Sequence, residues 1–334
     1  MDTTLPWYSG VRASVTEPSD TLAAVENDAA VGIGGCPSCG RYVVPEALRA
    51  SLMVCPLCGY HYPLGAVQRI SQLVDVGSWE EVAAEVVPSD PLTFSDSRPY
   101  PARLRAAQLA TGLQEAFVAG RCKIEGVPVG LGVLDFDFLG GSMGAAVGES
   151  FWRLVERCVG DHVPLVVVTS SGGARMQEGL ISLLQMAKTV MALEILRETT
   201  IPFVVVLANP TTGGVLASFA SLADVSIAEP GAQLWFTGPR VREMTTRERT
   251  PEGFGVAEEA LECGHIDVVV PRVELRQRLV ELLILLQGGE SVLGEIVPQR
   301  RKAVRWGTGG VGRAAERAAG LARTAWGWLR RRDR

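Results

Sequence analysis

No apolar run in this 334-residue chain approaches the roughly 18 residues that suggest a membrane span. The runs Val163 to Val168, Ile201 to Ala208 and Leu279 to Leu286 stop well short, so a soluble protein is expected. Residues 1–30 show neither a basic n-region nor an apolar h-region, so a secretory signal is not expected. The compartment should then be reducing, and a cytoplasmic location follows. Histidine is scarce: His61, His162 and His265 are the only three, and none sits in a nucleophile pattern. There is no His-Glu-x-x-His, and no Gly-x-x-x-x-Gly-Lys-Ser/Thr loop to hold a nucleotide phosphate. Asp135 and Asp137 read as surface carboxylates, and Cys122, Cys158 and Cys263 as small core hydrophobes. An inventory this thin suits chemistry that needs oxyanion stabilisation more than a protein base.

What is present is globular. With 47% hydrophobic and 21% charged residues, collagen, wholesale disorder and a coiled coil are excluded. The net charge of −5 is uneven. From Gln299 onward eleven basic residues face two acidic ones, a surplus of +9, which leaves −14 on the body. An acidic body argues against the main domain embracing nucleic acid, whereas the tail suits a polyanion or an acidic protein face.

The expected order is a lead-in over residues 1–34, a Cys-rich module over 35–62 and a linker packed on the core over 63–101. A main domain over 102–290 and a basic tail over 291–334 follow. Helical spacing in the tail puts Ala315, Ala318, Ala322, Trp326 and Leu329 on one side. A partner-binding or membrane-surface helix and a disordered solubilising tail are both open readings of it.

Cys36-x2-Cys39-x15-Cys55-x2-Cys58 has the spacing of a four-thiolate zinc site. Four thiolates leave no open coordination position, so such a zinc is structural. Two disulfides are the alternative, disfavoured by the knuckle spacing. Nucleic-acid contact through Arg41, Arg49, Tyr60, His61, Tyr62 and Arg69 is weighed against an ordinary solvated or packing face.

Within the main domain, Ala102 to Ala119 reads as an amphipathic helix and Val127 to Phe138 as one or two strands. Val163 to Ser170 is a buried strand, followed by Gly172-Gly173 and a helix to about Glu198. Pro202 to Ala208 is another, followed by Gly213-Gly214 and a helix to about Leu222. Further strands are expected near Ala232 to Phe236 and Ile266 to Val270, with a closing helix over Val273 to Gln287. Strand, glycine turn and helix, twice over, is an α/β plan. Amides in such turns, at the positive end of a helix dipole, can hold an anion or a developing oxyanion; the alternative is close packing alone.

Four runs then stand out. Phe138-Leu139-Gly140-Gly141-Ser142-Met143-Gly144, Ser171-Gly172-Gly173-Ala174-Arg175-Met176-Gln177-Glu178, Pro210-Thr211-Thr212-Gly213-Gly214-Val215 and Thr237-Gly238-Pro239-Arg240-Val241 resemble the bacterial acetyl-CoA carboxylase carboxyltransferase β-subunit family. The four cysteines match too, and the resemblance runs in order from about Cys36 to Arg272.

The resemblance implies a crotonase-like ββα superhelix behind an N-terminal zinc ribbon. It implies transfer of a carboxyl group from carboxybiotin, supplied in trans on a biotin carboxyl carrier protein, to acetyl-CoA, giving malonyl-CoA. The implied partners are a carboxyltransferase α subunit, in an α2β2 assembly that shares the site, and biotin carboxylase. On this reading Gly213 and Gly214 form the main oxyanion pocket. Gly172 and Gly173 line the adjoining acyl-CoA pocket, and Gly140, Gly141 and Arg175 serve CoA contact or loop support. Competing readings are another acyl-CoA as substrate, a hydratase or decarboxylase of the same fold, and a nucleic-acid-binding regulator with an inactive core.

Overall fold

The computed structural model describes residues 35–238, 243–245, 247, 251 and 253–288. The lead-in, the basic tail and Pro239-Arg240-Val241 of the fourth run lie outside them. The chain divides into two units, residues 1–287 and 288–334, and the described strands and helices all belong to the first.

Among the described residues eight strands form one sheet: β1 (Glu80–Val82), β2 (Phe117–Ile124), β3 (Val127–Leu134), β4 (Leu165–Ser171), β5 (Phe203–Thr212), β6 (Val225–Ala228), β7 (Leu234–Trp235) and β8 (Val268–Val269). Their order is β1-β2-β3-β4-β5-β6-β8, with β7 pairing the far end of β5. β1, β2 and β3 are antiparallel, and β3 through β6 and β8 run parallel. The Val-rich runs of β4 and β5 are buried throughout their first halves, as strands covered on both faces require. β2 and β3 are joined at Glu125-Gly126, both at positive φ, a two-residue hairpin turn. The Asp75 carboxylate accepts from both of those amides, at 2.9 and 2.7 Å, which tethers the linker to the sheet.

The helices are α1 (Pro45–Ala50), α2 (Ala66–Leu73), α3 (Tyr100–Thr111), α4 (Ala145–Asp161), α5 (Leu180–Glu198), α6 (Gly213–Leu216), α7 (Ala257–Glu262) and α8 (Arg272–Leu286). The helix expected to reach Ala119 ends at Thr111, because Gly112 turns left-handed (φ 72°) and closes it by donating its amide hydrogen bond to Gln108 O. α4 was not anticipated. Its interior Gly148 blurs the apolar pattern, yet that glycine is where α5 comes close: a Cβ there would lie 2.1 Å from Gln185 Oε1. Val147, Phe151, Leu154, Val155 and Cys158 form its buried face, and each of the larger ones contributes about 1.5–3 kcal/mol by leaving water. β5 also runs four residues past Ala208, through Thr212, because its extension pairs with β7.

A second, small core lies in the Cys-rich module, where Cys36, Val43, Leu48 and Cys55 pack together. Its two knuckles repeat one geometry. Gly40 and Gly59 are left-handed, and each donates its amide at 2.8 Å to the carbonyl of the first cysteine of its pair.

Candidate functional site

The glycine turns meet at the carboxyl ends of β4 and β5, where parallel α/β sheets place their ligands. Gly172 donates its amide to Gly140 O at 2.8 Å, so the second turn is bonded to the first. Only glycine fits at Gly141: its φ is 60°, and a Cβ there would stand 2.0 Å from Ser170 O. Gly173, at φ 107°, lies against the third turn, and a Cβ would come within 3.0 Å of Gly214 N. All six expected glycines are therefore brought together.

Their amides are not equivalent. Gly172's is taken by Gly140, and Gly173 donates to Ser171 Oγ at 3.0 Å. Those two glycines give shape and close approach and do not donate into a cleft. Gly213 and Gly214 open α6, and the first amides of a helix have no acceptor inside it. The peptide that carries the Gly214 amide is fixed from behind, since Ala217 N donates to Gly213 O at 3.0 Å, and Ser218 Oγ anchors the following peptide by donating to Gly214 O at 2.6 Å.

The helix-dipole expectation needs correcting. α6 is four residues long, and α5 starts only at Leu180, so neither turn sits on the end of a long helix. What remains at Gly213 and Gly214 is the local orientation of amides.

Of the two roles expected of Arg175, CoA contact and loop support, the structure favours the second. Its side chain is wholly buried, with Nη1 donating to Glu115 Oε2 at 2.6 Å and to the Tyr100 hydroxyl at 3.2 Å, and Nη2 to Ser142 O at 2.7 Å. Burial opposes the charge, and the Glu115 carboxylate more than reverses that, holding its pKa above the ordinary arginine value. A guanidinium closed off in this way supports the loop and has no donor left to offer CoA. Tyr100 in turn donates to Glu178 Oε1 at 2.7 Å, and Glu178 Oε2 accepts from Ala145 N, at the start of α4, at 2.6 Å. Gly140-Gly141-Ser142-Met143-Gly144 matches a nucleophile elbow in its letters. However, Ser142 follows a 3₁₀ turn instead of a strand, and its hydroxyl accepts from Arg175 Nε at 3.1 Å.

The four cysteine sulfurs lie within 4.8 Å of one another, with Cys36 Sγ and Cys58 Sγ 3.7 Å apart. Zinc–sulfur bonds of about 2.3 Å at tetrahedral angles place sulfurs about 3.8 Å apart, so the donor set fits a zinc ion. No disulfide joins any two of them, and a single cluster of four sulfurs is the arrangement of a metal site more than of two separate bridges.

The module is locked to the core by a buried seam. Arg69 and Arg272 both grip Glu229: Arg69 Nη2 at 3.2 Å, Arg272 Nε and Nη2 each at 2.8 Å. Arg272 Nη1 also donates to Leu52 O and Met53 O, and its amide to His61 Nε2 at 3.1 Å. Burial alone would push the Glu229 carboxyl up, but the two guanidiniums hold it far below the usual carboxylate range. Burial lowers the His61 pKa. An enclosed cavity of about 10 Å³, room for about one water, lies at this seam beside Ser170 and Asn209 and not over the glycine turns.

Residues 64–268 match the carboxyl transferase domain family. The acetyl-coenzyme A carboxylase carboxyl transferase subunit beta of Synechococcus sp. (strain JA-3-3Ab) is 51% identical over 251 residues, covering 75% of this chain and 80% of that one. The subunit of the same name from Prochlorococcus marinus (strain MIT 9303) is 48% identical over 250 residues, 75% of this chain and 85% of its own. This chain belongs to that family of β subunits.

A crystal structure of transcarboxylase 12S with methylmalonyl-coenzyme A bound is 27% identical with a TM-score of 0.55. The match covers 66% of this chain and spans 41% of that longer one. A Pseudomonas malonate decarboxylase hetero-tetramer, 22% identical with TM-score 0.55 over 72% of this chain and 92% of that one, shares the fold. The fold is thus the crotonase-like α/β architecture expected of this family.

Several residues of this β-subunit relative lie elsewhere than expected. Asp135 is buried, not a surface carboxylate: it accepts from Ala66 N at 2.6 Å and Asp137 N at 2.9 Å, and burial raises its pKa. Cys263 is exposed, whereas Cys122 and Cys158 are core residues. Of the six residues named for nucleic acid, Arg69 and His61 are consumed by the seam, and Tyr60 and Tyr62 pack edge to face at 5.2 Å. Arg41 and Arg49 stay on the surface. Glu115, Glu178 and Tyr100 were missed, because a buried carboxylate paired across 60 or more residues leaves no local signal.

Proposed function

We propose that this chain is the β half of a carboxyltransferase that moves a carboxyl group from carboxybiotin to acetyl-CoA, giving malonyl-CoA. The observation that carries this reading is the convergence of three glycine turns at the carboxyl ends of β4 and β5, with the peptide that carries the Gly214 amide held from behind by Ala217.

Carboxybiotin supplies the carboxyl group, and the ureido nitrogen it leaves can take the methyl proton. Loss of that proton places negative charge on the thioester oxygen, and a new carbon–carbon bond then forms at the methyl carbon. The amides of Gly213 and Gly214 stabilise the charged oxygen as it develops; one such donor is typically worth about 10²–10³ in rate. Gly172 and Gly173, lacking side chains, let the acyl group approach. Ala217 fixes the peptide bearing the Gly214 amide and Ser218 the one after it, while Arg175 and Glu178 fix the loop, so little reorganisation accompanies the reaction.

The site is proposed to be completed by a carboxyltransferase α subunit in an α2β2 assembly, served by a biotin carboxyl carrier protein and biotin carboxylase. An exposed apolar row beside the turns, Met176, Leu180, Leu183, Leu184 and Met191, supports that need for a partner. A structural zinc at Cys36, Cys39, Cys55 and Cys58, and a cytoplasmic location, complete the proposal.

The test is reconstitution. The chain with its α partner and carboxylated carrier should convert acetyl-CoA to malonyl-CoA, and the chain alone should be inert or weak. An assembled complex that carboxylates propionyl-CoA but not acetyl-CoA would overturn the substrate. One that carboxylates neither would overturn the function.

A further inference from the structure

Ser171 bonds to all three glycine turns, adding to the main-chain bonds that Gly172 makes to Gly140 O and Met143 N to Gly173 O. It closes β4 where the pairing with β5 shifts register: Thr169 faces Leu207, yet Ser171 faces Thr211, so β5 sets four residues against two of β4. Such irregularities re-aim a side chain next to a site.

Fully buried, Ser171 hydrogen-bonds to each turn by a different atom pair. Its hydroxyl donates to Gly141 O at 2.6 Å and accepts from Gly173 N at 3.0 Å. Its carbonyl accepts from Thr212 Oγ1 at 3.0 Å, the residue immediately before Gly213. One donor and one acceptor on the same oxygen use the hydroxyl in the way its chemistry allows. The glycines themselves have no side chains with which to set their mutual distance.

We propose that Ser171 is a positioning residue for carboxyl transfer, holding the amides of Gly213 and Gly214 in register with the acyl pocket without touching the substrate. This rests on the function proposed above. Removing its hydroxyl frees the Gly173 amide and leaves Gly141 O without its donor, so the turns gain freedom relative to one another. The loss then falls on the turnover step more than on CoA affinity, because the oxyanion forms only in the transition state.

The experiment uses the full complex with the α partner and carboxylated carrier, comparing wild type with Ser171→Ala and Thr212→Val. Expected results are a fall in kcat of about tenfold or more, a KM for acetyl-CoA within about threefold of wild type, and unchanged zinc content. Hydrogen exchange read on a peptide spanning residues 170–176 should lose protection in Ser171→Ala, while peptides from α8 do not change. Unchanged kcat with retained protection overturns the proposal, as does a fall in activity that merely tracks the folded fraction. Should Ser171→Ala not fold, Thr212→Val, which removes the tie to the third turn alone, decides by the same readings. A wild-type complex that makes no malonyl-CoA sinks the functional reading instead, an outcome distinct from a variant that matches an active wild type.

Discussion

The Cys-rich module and the glycine edge are held in opposite ways. The module has a core of four buried residues and relies on strong chemical ties: four thiols converging on one point, and a Glu229 carboxylate gripped by two buried guanidiniums. The glycine edge has hardly any side chains of its own. It stands on a deeply buried parallel sheet and is registered by main-chain bonds and hydroxyls. A small unit that cannot bury enough surface needs a metal and ion pairs. A site that must let a substrate reach the backbone needs the absence of Cβ atoms. Titration or chelation should therefore break the first region, and steric bulk the second.

The largest contrast should come from metal removal. Structural zinc sites contribute roughly 10–16 kcal/mol of binding free energy to folding. Stripping the metal with a strong chelator should make residues 36–62 exchange-labile while β4 and β5 stay protected; equal loss of protection in both would erase the contrast.

Next comes Glu229→Leu, which leaves Arg69 and Arg272 buried without a counter-charge. It should cost about 3–5 kcal/mol in a urea titration, and a cost under about 1 kcal/mol would mean that the seam is not under this constraint.

Gly214→Val acts on the other region. A Cβ there would already stand 3.1 Å from Met186 Sδ and 3.5 Å from Ala174 N, so the larger side chain crowds the space between the second and third turns and displaces the backbone that carries the amides. Carboxyl transfer should drop by about 10²–10³, equivalent to about 2.7–4 kcal/mol of barrier, with zinc content and unfolding midpoint unchanged. Retained activity would refute the amide assignment.

The smallest effect is pH. Glu229 is depressed in the folded state, so its contribution is fully present above the unfolded value of about 4.3 and is lost as pH falls toward the folded one. The Glu229 contribution should hold from pH 7 to about 5 and be lost below about 4, so the wild-type curve should fall more steeply in that acid range than the Glu229→Leu curve. Parallel curves would assign the acid sensitivity to other groups.

The cysteine spacing, the β4 and β5 strands and the paired glycines could be read directly from the chain, because each is a local pattern governed by metal geometry, strand periodicity or backbone freedom. α4 escaped because Gly148 looks like a breaker until α5 is seen against it. Arg175 illustrates the other limit. In sequence it is an arginine beside two glycines, a natural anion ligand, and only the approach of Glu115 from the start of β2 and Tyr100 from α3 shows it to be spent internally.

The order of the chain by itself thus determined which four cysteines converge as a donor set fit for a metal and which turns must lack side chains. Both follow from short-range rules of valence and sterics. Tertiary structure alone decided which glycine amides were already taken, that Arg69, Arg272 and His61 form a seam and not a nucleic-acid surface, and that Ser171 joins three turns. Those outcomes depend on partners distant in sequence, such as Ser171 and Gly141 or Arg272 and His61, and folding is what brings them within hydrogen-bonding distance.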